Sequence, residues 1–274
     1  APARPTVRQL GGVNRPDPAP GIWTVLSTQP LADAERLLAS FLPKAFRRPV
    51  DAAVRAQYVT KVDERLKAGD CFETAMRWAY RAALCSPDFL YHFEPSGRLD
   101  DYAVACRLSY FLWNSMPDES LMMLAESGKL RNKDALRGQV DRLLHDPRSQ
   151  RFVEDFLGQW LKLRQIAAND PDKKLYPEFS PYLQDSMVDE TRAYFRELLD
   201  RNLDASYLVK SDFAMLNEKL AAHYGVPNIS GAAIRRVTLP RGSPRGGFLT
   251  QGAVLKVTAN GTTTSPVPRG AFVM

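Results

Sequence analysis

From Leu31 to Leu198 the apolar residues recur at intervals of three and four, with prolines between the runs. That period places apolar side chains on one face of an α-helix, whereas a half-buried strand needs alternation. Leu37, Leu38, Phe41 and Leu42 predict a helix over 31–46, with Pro43 limiting or bending its end. Val54, Tyr58, Val62 and Leu66 predict a second over 51–67, closed by Gly69. Met76, Ala79, Tyr80 and Ala83 predict a third over 72–84, broken at Ser86-Pro87. Asp100 reads as the N-cap of a helix with Val104, Leu108, Phe111 and Leu112 on one stripe and Cys106, Tyr110 and Trp113 on another. A helix apolar nearly all round is expected to be central and buried. Pro117, Asp118 and Glu119 suit a first turn; Leu136, Val140, Leu143 and Leu144 mark a helix stopped at Asp146-Pro147. Phe152, Phe156, Leu157, Trp160 and Leu161 mark the next. The longest spans 181–201, capped by Ser180, with Leu183, Met187, Thr191, Tyr194, Phe195 and Leu198 facing inward.

After Tyr224 the pattern changes. Arg236-Val237-Thr238-Leu239 and the run 248–258 favour strands, punctuated by Gly and Pro. The expected fold is therefore mainly α: a multi-helix, bundle-like core with a small Gly/Thr-rich β segment at the C-terminal end. The expected division is an extended arm over 1–27, with five prolines in its first twenty residues, a helical domain over 28–95, a central helical domain over 96–225, and the basic segment 226–274. No stretch is long and apolar enough to span a bilayer, and the opening Ala-Pro-Ala-Arg-Pro has no signal-peptide pattern.

The formal net charge is +6, and all of it lies at one end. Glu218 is the last acidic residue; Lys219, Arg235, Arg236, Arg241, Arg245, Lys256 and Arg269 follow it. Such a segment faces an anion or docks on acidic helices of its own chain. Cys71, Cys85 and Cys106 sit in apolar helical patterns and read as buried free thiols. No C-x-x-C or C-x-x-C-H occurs, so this chain by itself neither attaches c-type haem nor forms a zinc ribbon, and no metal site is expected.

No strong catalytic motif is present. His92, His145 and His223 lie far apart, and His223 stands just before the basic segment. Asp185, Asp189, Arg192 and Arg196, like Arg151, Glu154 and Asp155, read as solvated helix faces rather than paired catalytic carboxylates. The unusual stretch is 245–270. Its glycines let backbone N–H groups approach a ligand, its hydroxyls donate and accept hydrogen bonds, and its arginines can clamp a carboxylate or phosphate. The ligand-binding or docking candidates are Arg245, Gly246, Gly247, Thr250, Gln251, Asn260, Ser265, Arg269 and His223. The competing reading is a tight hairpin turning at Asn260-Gly261.

Four segments in order also carry a family resemblance: Leu42-Pro43-Lys44-Ala45-Phe46-Arg47-Arg48-Pro49-Val50, the run from Leu108 to Asp118, the run from Phe213 to Gly225, and the 245–270 stretch. From about Trp23 onward the chain resembles uncharacterised secreted, cytochrome-like proteins of planctomycetes and myxobacteria. The resemblance implies three consecutive domains of unknown function, the first ending near Tyr91 and the second near Gly225. It also implies that the segment 226–274 is truncated here, that a C-x-x-C-H region with c-type haem follows in relatives, and that the protein is secreted or periplasmic. Where relatives often carry a cysteine, this chain has Ser27. No catalytic residue comes with the resemblance.

Two functions are expected. One is the helical scaffold portion of an extracytoplasmic, haem-linked redox protein, its partner being its own haem region or a redox protein. The other is a non-enzymatic binding module for an anionic extracellular polysaccharide. Nucleic acid is a poorer partner, because only Phe248 and Phe272 are interleaved with the cations.

Overall fold

A computed structural model describes residues 7–8, 24–92, 94, 96–263 and 265–274. The predicted arm falls largely outside the described residues. Within it, β1 (Val7–Arg8) pairs antiparallel with β2 (Thr24–Val25). The chain divides into two compact units, one of residues 1–110 and 115–139, the other of residues 111–114 and 140–274.

The first unit is built on α1 (Pro30–Phe46), α2 (Ala52–Lys67) and α3 (Phe72–Leu84), followed by the single turn α4 (Pro87–Leu90). The three long helices form because their apolar stripes can meet. Leu38 and Leu42 of α1, Val62 of α2, and Ala75, Ala79 and Ala83 of α3 have no exposed surface. Alanines on α3 allow close approach of its neighbours, and each buried Leu contributes about 2–5 kcal/mol relative to Ala. Pro43 sits inside α1 near its end, and the helix stops at Arg47 in the left-handed region. The unit continues into α5 (Asp101–Trp113) and α6 (Glu119–Glu126). As expected, Asp100 Oδ1 accepts from Ala103 N at 2.7 Å; Asp118, expected inside the first turn of α6, is instead its N-cap and accepts from Leu121 N at 3.0 Å. The buried Asp101 carboxylate accepts from Leu130 N at 2.8 Å and is paired with Arg131.

The second unit takes the end of α5 and the C-terminal part of α7 (Lys133–His145), then α8 (Gln150–Trp160) and α9 (Pro181–Asp200). Trp113 is fully buried; its Nε1 donates to Leu143 O at 2.9 Å and Arg148 stacks 3.4 Å over its ring. Ser180 caps α9 through a bond from Leu183 N, and the six residues expected inward on this helix are all buried. Against α9 lie β3 (Phe213–Leu216) and α10 (Glu218–Tyr224). β3 pairs antiparallel with β4 (Arg235–Thr238), with Phe213 opposite Thr238 and Leu216 opposite Arg235.

The mainly α architecture stands, and three finer expectations change. The run 248–258 is not a strand: it forms a short 3-10 turn over Phe248–Thr250 and then α11 (Gly252–Val257). Ala253 and Val254 are buried against the core of α8 and α9, so tertiary packing decides a run too short for periodicity to decide. Asn260-Gly261 does not turn a hairpin; Asn260 Oδ1 accepts from the N–H groups of Thr262 and Thr263 in a local side-chain turn ahead of α12 (Pro266–Val273). Of the three free cysteines only Cys106 is buried; Cys71 is half-buried at the N-cap of α3 and Cys85 is exposed at its C-cap. As cap residues, these two stand outside the buried stripe of α3.

Candidate functional site

The basic segment is less free than its charge suggests. Arg236 reaches Glu197 at 3.3 Å and lies 4.3 Å over the Phe213 ring. Arg269 donates to Thr258 Oγ1 at 3.2 Å and Leu255 O at 3.4 Å, completing the C-terminal end of α11. Lys256 is buried; its Nζ donates to Asn169 O at 2.8 Å and to Ile166 O. Burial lowers its pKa. These cations fasten the segment to its own unit.

Gly246, Gly247 and Thr250 form a knot with the same purpose. Thr250 Oγ1 accepts from Gly246 N at 2.9 Å and stands 3.1 Å from the carbonyl oxygens of Gly246 and Gly247. Gly247 N donates to the buried Ser211 hydroxyl at 3.2 Å. Both glycines have positive φ, +133° and +76°, and a Cβ on either would fall 2.3 Å from Ser211 O or 2.2 Å from Val209 O. Only glycine fits such an approach. Gln251 is buried with its Oε1 unpartnered, and Ser265 leads into α12 without a cap bond from its side chain. Gly246, Gly247, Thr250, Asn260 and Arg269 thus make local structural bonds, while Arg245 and His223 open onto a cleft.

The cleft has a volume of about 200 Å³. Phe179, Met187 and Leu255 give it apolar walls; His223, Arg245 and Lys256 give it polar ones, with Glu178 as the opposing acid. Behind Tyr224 and Gly252 stands Glu190, 1% exposed. Its Oε2 accepts from the Tyr224 hydroxyl at 2.6 Å, and the Tyr224 hydroxyl oxygen accepts from Gly252 N at 2.7 Å. The Arg245 guanidinium lies 3.9 Å over the Tyr224 ring, its Nη1 bound to Thr250 O at 2.7 Å. Burial pushes the Glu190 carboxyl up to about 8, against the smaller opposing pull of the Tyr224 bond and Arg245. The shift favours the neutral, protonated acid near pH 7. The Tyr224 hydroxyl is raised well above its ordinary range, first by burial and then by Glu190. His223 is lowered by burial, and Arg245 adds to that, while Glu178 at 3.9 Å opposes it. Neutral Glu190 leaves the charge of Arg245 uncancelled from behind, so the cleft is suited to an anion.

Glu190, Tyr224 and Lys256 were not among the sequence candidates. Glu190 had a readable signal: it lies three residues after Met187 and four before Tyr194, inside the inward stripe of α9. Tyr224 and Lys256 had none, because their partners are 34 and about 90 residues away.

Comparison with known proteins gives two matches in tandem. Residues 33–94 match the family model described as PSD5, protein of unknown function (DUF1595), and residues 99–226 that described as PSD4, protein of unknown function (DUF1592). The chain therefore carries two consecutive domains of unknown function. No curated protein and no solved structure matches it.

Proposed function

We propose that this chain is the helical scaffold portion of an extracytoplasmic, cytochrome-like redox protein, and that the Arg245 cleft holds a carboxylate of its haem-carrying region or redox partner. The observation that supports this reading is Arg245 set against a neutral Glu190. A guanidinium stacked on Tyr224 and fixed by Thr250 O is a pre-oriented cation with no charged carboxylate behind it. The chain's own residues do not fit a covalently attached haem. The three cysteines are dispersed between a helix N-cap, a helix C-cap and the buried face of α5, and no C-x-x-C-H occurs. The haem in this reading belongs to sequence outside the chain, and the cleft supplies only a docking contact.

The full-length product, made with haem-maturation machinery, should show a c-type absorption spectrum. Arg245→Ala should shift its reduction potential. A haem-free full-length product, or a potential that Arg245→Ala leaves unchanged, would contradict the proposal.

A second reading, binding of an acidic polysaccharide, has its own support. Lys210 and Arg241 are exposed around an open hollow that also carries the Ser206 and Ser243 side chains. Retention on an acidic glycan column should then fall steeply with salt and with Lys210→Ala plus Arg241→Ala.

A further inference from the structure

Tyr224 joins a buried acid to a half-buried cation, so the charges of the two are coupled. Glu190, 1% exposed, accepts the Tyr224 hydroxyl bond on Oε2 at 2.6 Å. The Arg245 guanidinium lies 3.9 Å over the ring of the same tyrosine and borders the cleft. Its Nη1 is bound to Thr250 O at 2.7 Å. Nε and Nη2, which share one edge of the guanidinium, have no hydrogen-bond partner among the described residues, and no carboxylate there lies within ion-pair distance of Arg245. A guanidinium edge of this kind matches the two oxygens of a carboxylate.

The cleft walls define what the carboxylate is carried on. Phe179, Met187 and Leu255 are apolar, and a methionine sulfur favours contact with an aromatic ring. The volume of about 200 Å³ is below the roughly 300 Å³ at which drug-sized pockets begin, so the body is compact. Of the other charges in the lining, Lys256 is bound to the carbonyls of Ile166 and Asn169, burial lowers the pKa of His223, and Glu178 stands 3.9 Å from His223. Arg245 therefore matches one negative charge, not two.

The elements packed on α9 bring few charges to Glu190. From α10 come Tyr224 and His223, from the turn before α11 comes Arg245, and from α11 come Lys256 and the Gly252 N–H. β3 has no charged side chain; on α8, Arg151 is bound to Trp113 O, Asp155 to Arg164, and Glu154 is exposed. Arg245 is the cation that acts on Glu190. An ionised Glu190 and a bound anion would share that cation and repel each other, and such coupling is reciprocal.

We propose that the Arg245 cleft is a proton-gated site for a compact aromatic monocarboxylate, which it holds on the Nε–Nη2 edge while Glu190 is protonated and releases as Glu190 ionises. This gating rests on the cleft being a carboxylate site, as proposed above, and is independent of any haem. A free acid of this kind and a partner's carboxylate would compete for the same edge.

The test is calorimetric titration of the chain with sodium phenylacetate at pH 7 and pH 9, with sodium acetate at matched ionic strength. Saturable phenylacetate binding is expected at pH 7, with acetate at least about tenfold weaker for want of the buried ring. Glu190 titrates at about 8, so affinity should fall about fivefold by pH 9, the lower end of ordinary coupling between two sites. Glu190→Gln should keep the pH 7 affinity and lose most of this fall. In the unaltered chain, binding at pH 8.5 should take up a fraction of a proton, seen as a binding heat that depends on the buffer's ionisation enthalpy. Arg245→Lys keeps the charge and loses the fork, and should weaken binding at least about tenfold. Arg245 also borders the hollow of Lys210 and Arg241, so Lys210→Ala plus Arg241→Ala should leave phenylacetate binding unchanged. Absence of binding at pH 7, or its loss in that double variant, would overturn both the gating and the carboxylate reading of the cleft. Equal affinity at pH 7 and pH 9, no proton uptake, or the same fall in Glu190→Gln would overturn the gating alone. Acetate binding as tightly as phenylacetate would overturn the aromatic body.

Discussion

Glu190 in the second unit and Arg47 in the first are both buried with no opposite charge in direct contact among the described residues, and the two answer the cost differently. In the second unit Glu190 gives up its charge: burial holds it protonated near neutral pH, and Tyr224 supplies its hydrogen bond. In the first unit Arg47 cannot give up its charge, because a guanidinium stays protonated. Its Nη2 instead donates to three backbone carbonyls at the end of α4. A buried acid can therefore be silent at neutral pH, whereas a buried arginine keeps its charge and is met by carbonyl dipoles.

The largest test of this contrast lies in the tight packing of the second unit. Gly247→Ala would place Cβ 2.2 Å from Val209 O at φ +76°. It should destabilise the second unit by about 4 kcal/mol or more, seen as lost amide protection there, with α1–α3 unaffected. Protection lost equally in both units would show that they do not respond separately.

Next comes pH. Glu190 has a folded pKa of about 8, raised from its ordinary 4.5. Its contribution is fully present below pH 4.5 and is lost as pH rises through 8. The loss is on the order of a few kcal/mol. His223 acts oppositely: its folded pKa is lowered, so its contribution is present above pH 6.5 and lost as pH falls. Denaturant unfolding across pH 5–9 should show Glu190→Gln removing the decline on the alkaline side. An unchanged decline in that variant would contradict the assignment.

In the first unit Asp101→Asn should cost about 2–3 kcal/mol, because Leu130 N and the Arg131 guanidinium lose a buried anionic acceptor. Urea midpoints measure it. The smallest effect is expected for Gly69→Ala, at about 1 kcal/mol: its φ is +91°, yet a Cβ there meets nothing within 4 Å. Comparing it with Gly247→Ala separates the cost of backbone conformation from the cost of contact.

Most of the helices could be read from the sequence, since most of their stripes run for about three turns or more and two of their caps are chemical: Asp100 and Ser180 each accept the expected backbone bond. The 248–258 run misled, because six residues of helix seated on α9 carry too little period to oppose their strand-like composition. The candidate site was half visible. Arg245 and His223 stood out by charge and by position. Glu190 was hidden inside a regular stripe, and Lys256 and Arg269 looked like free cations, although backbone carbonyls far away in sequence or beside α11 hold them. A charge count cannot distinguish a cation that greets a ligand from one that ties down a loop.

The account rests on Glu190 being neutral behind Arg245. An infrared difference spectrum of the chain minus its Glu190→Gln variant at pH 6.5 measures this directly. A protonated-carboxyl C=O band that disappears as pH is raised past 8 is predicted. A carboxylate band at pH 6.5 with no protonated-carboxyl band would contradict it.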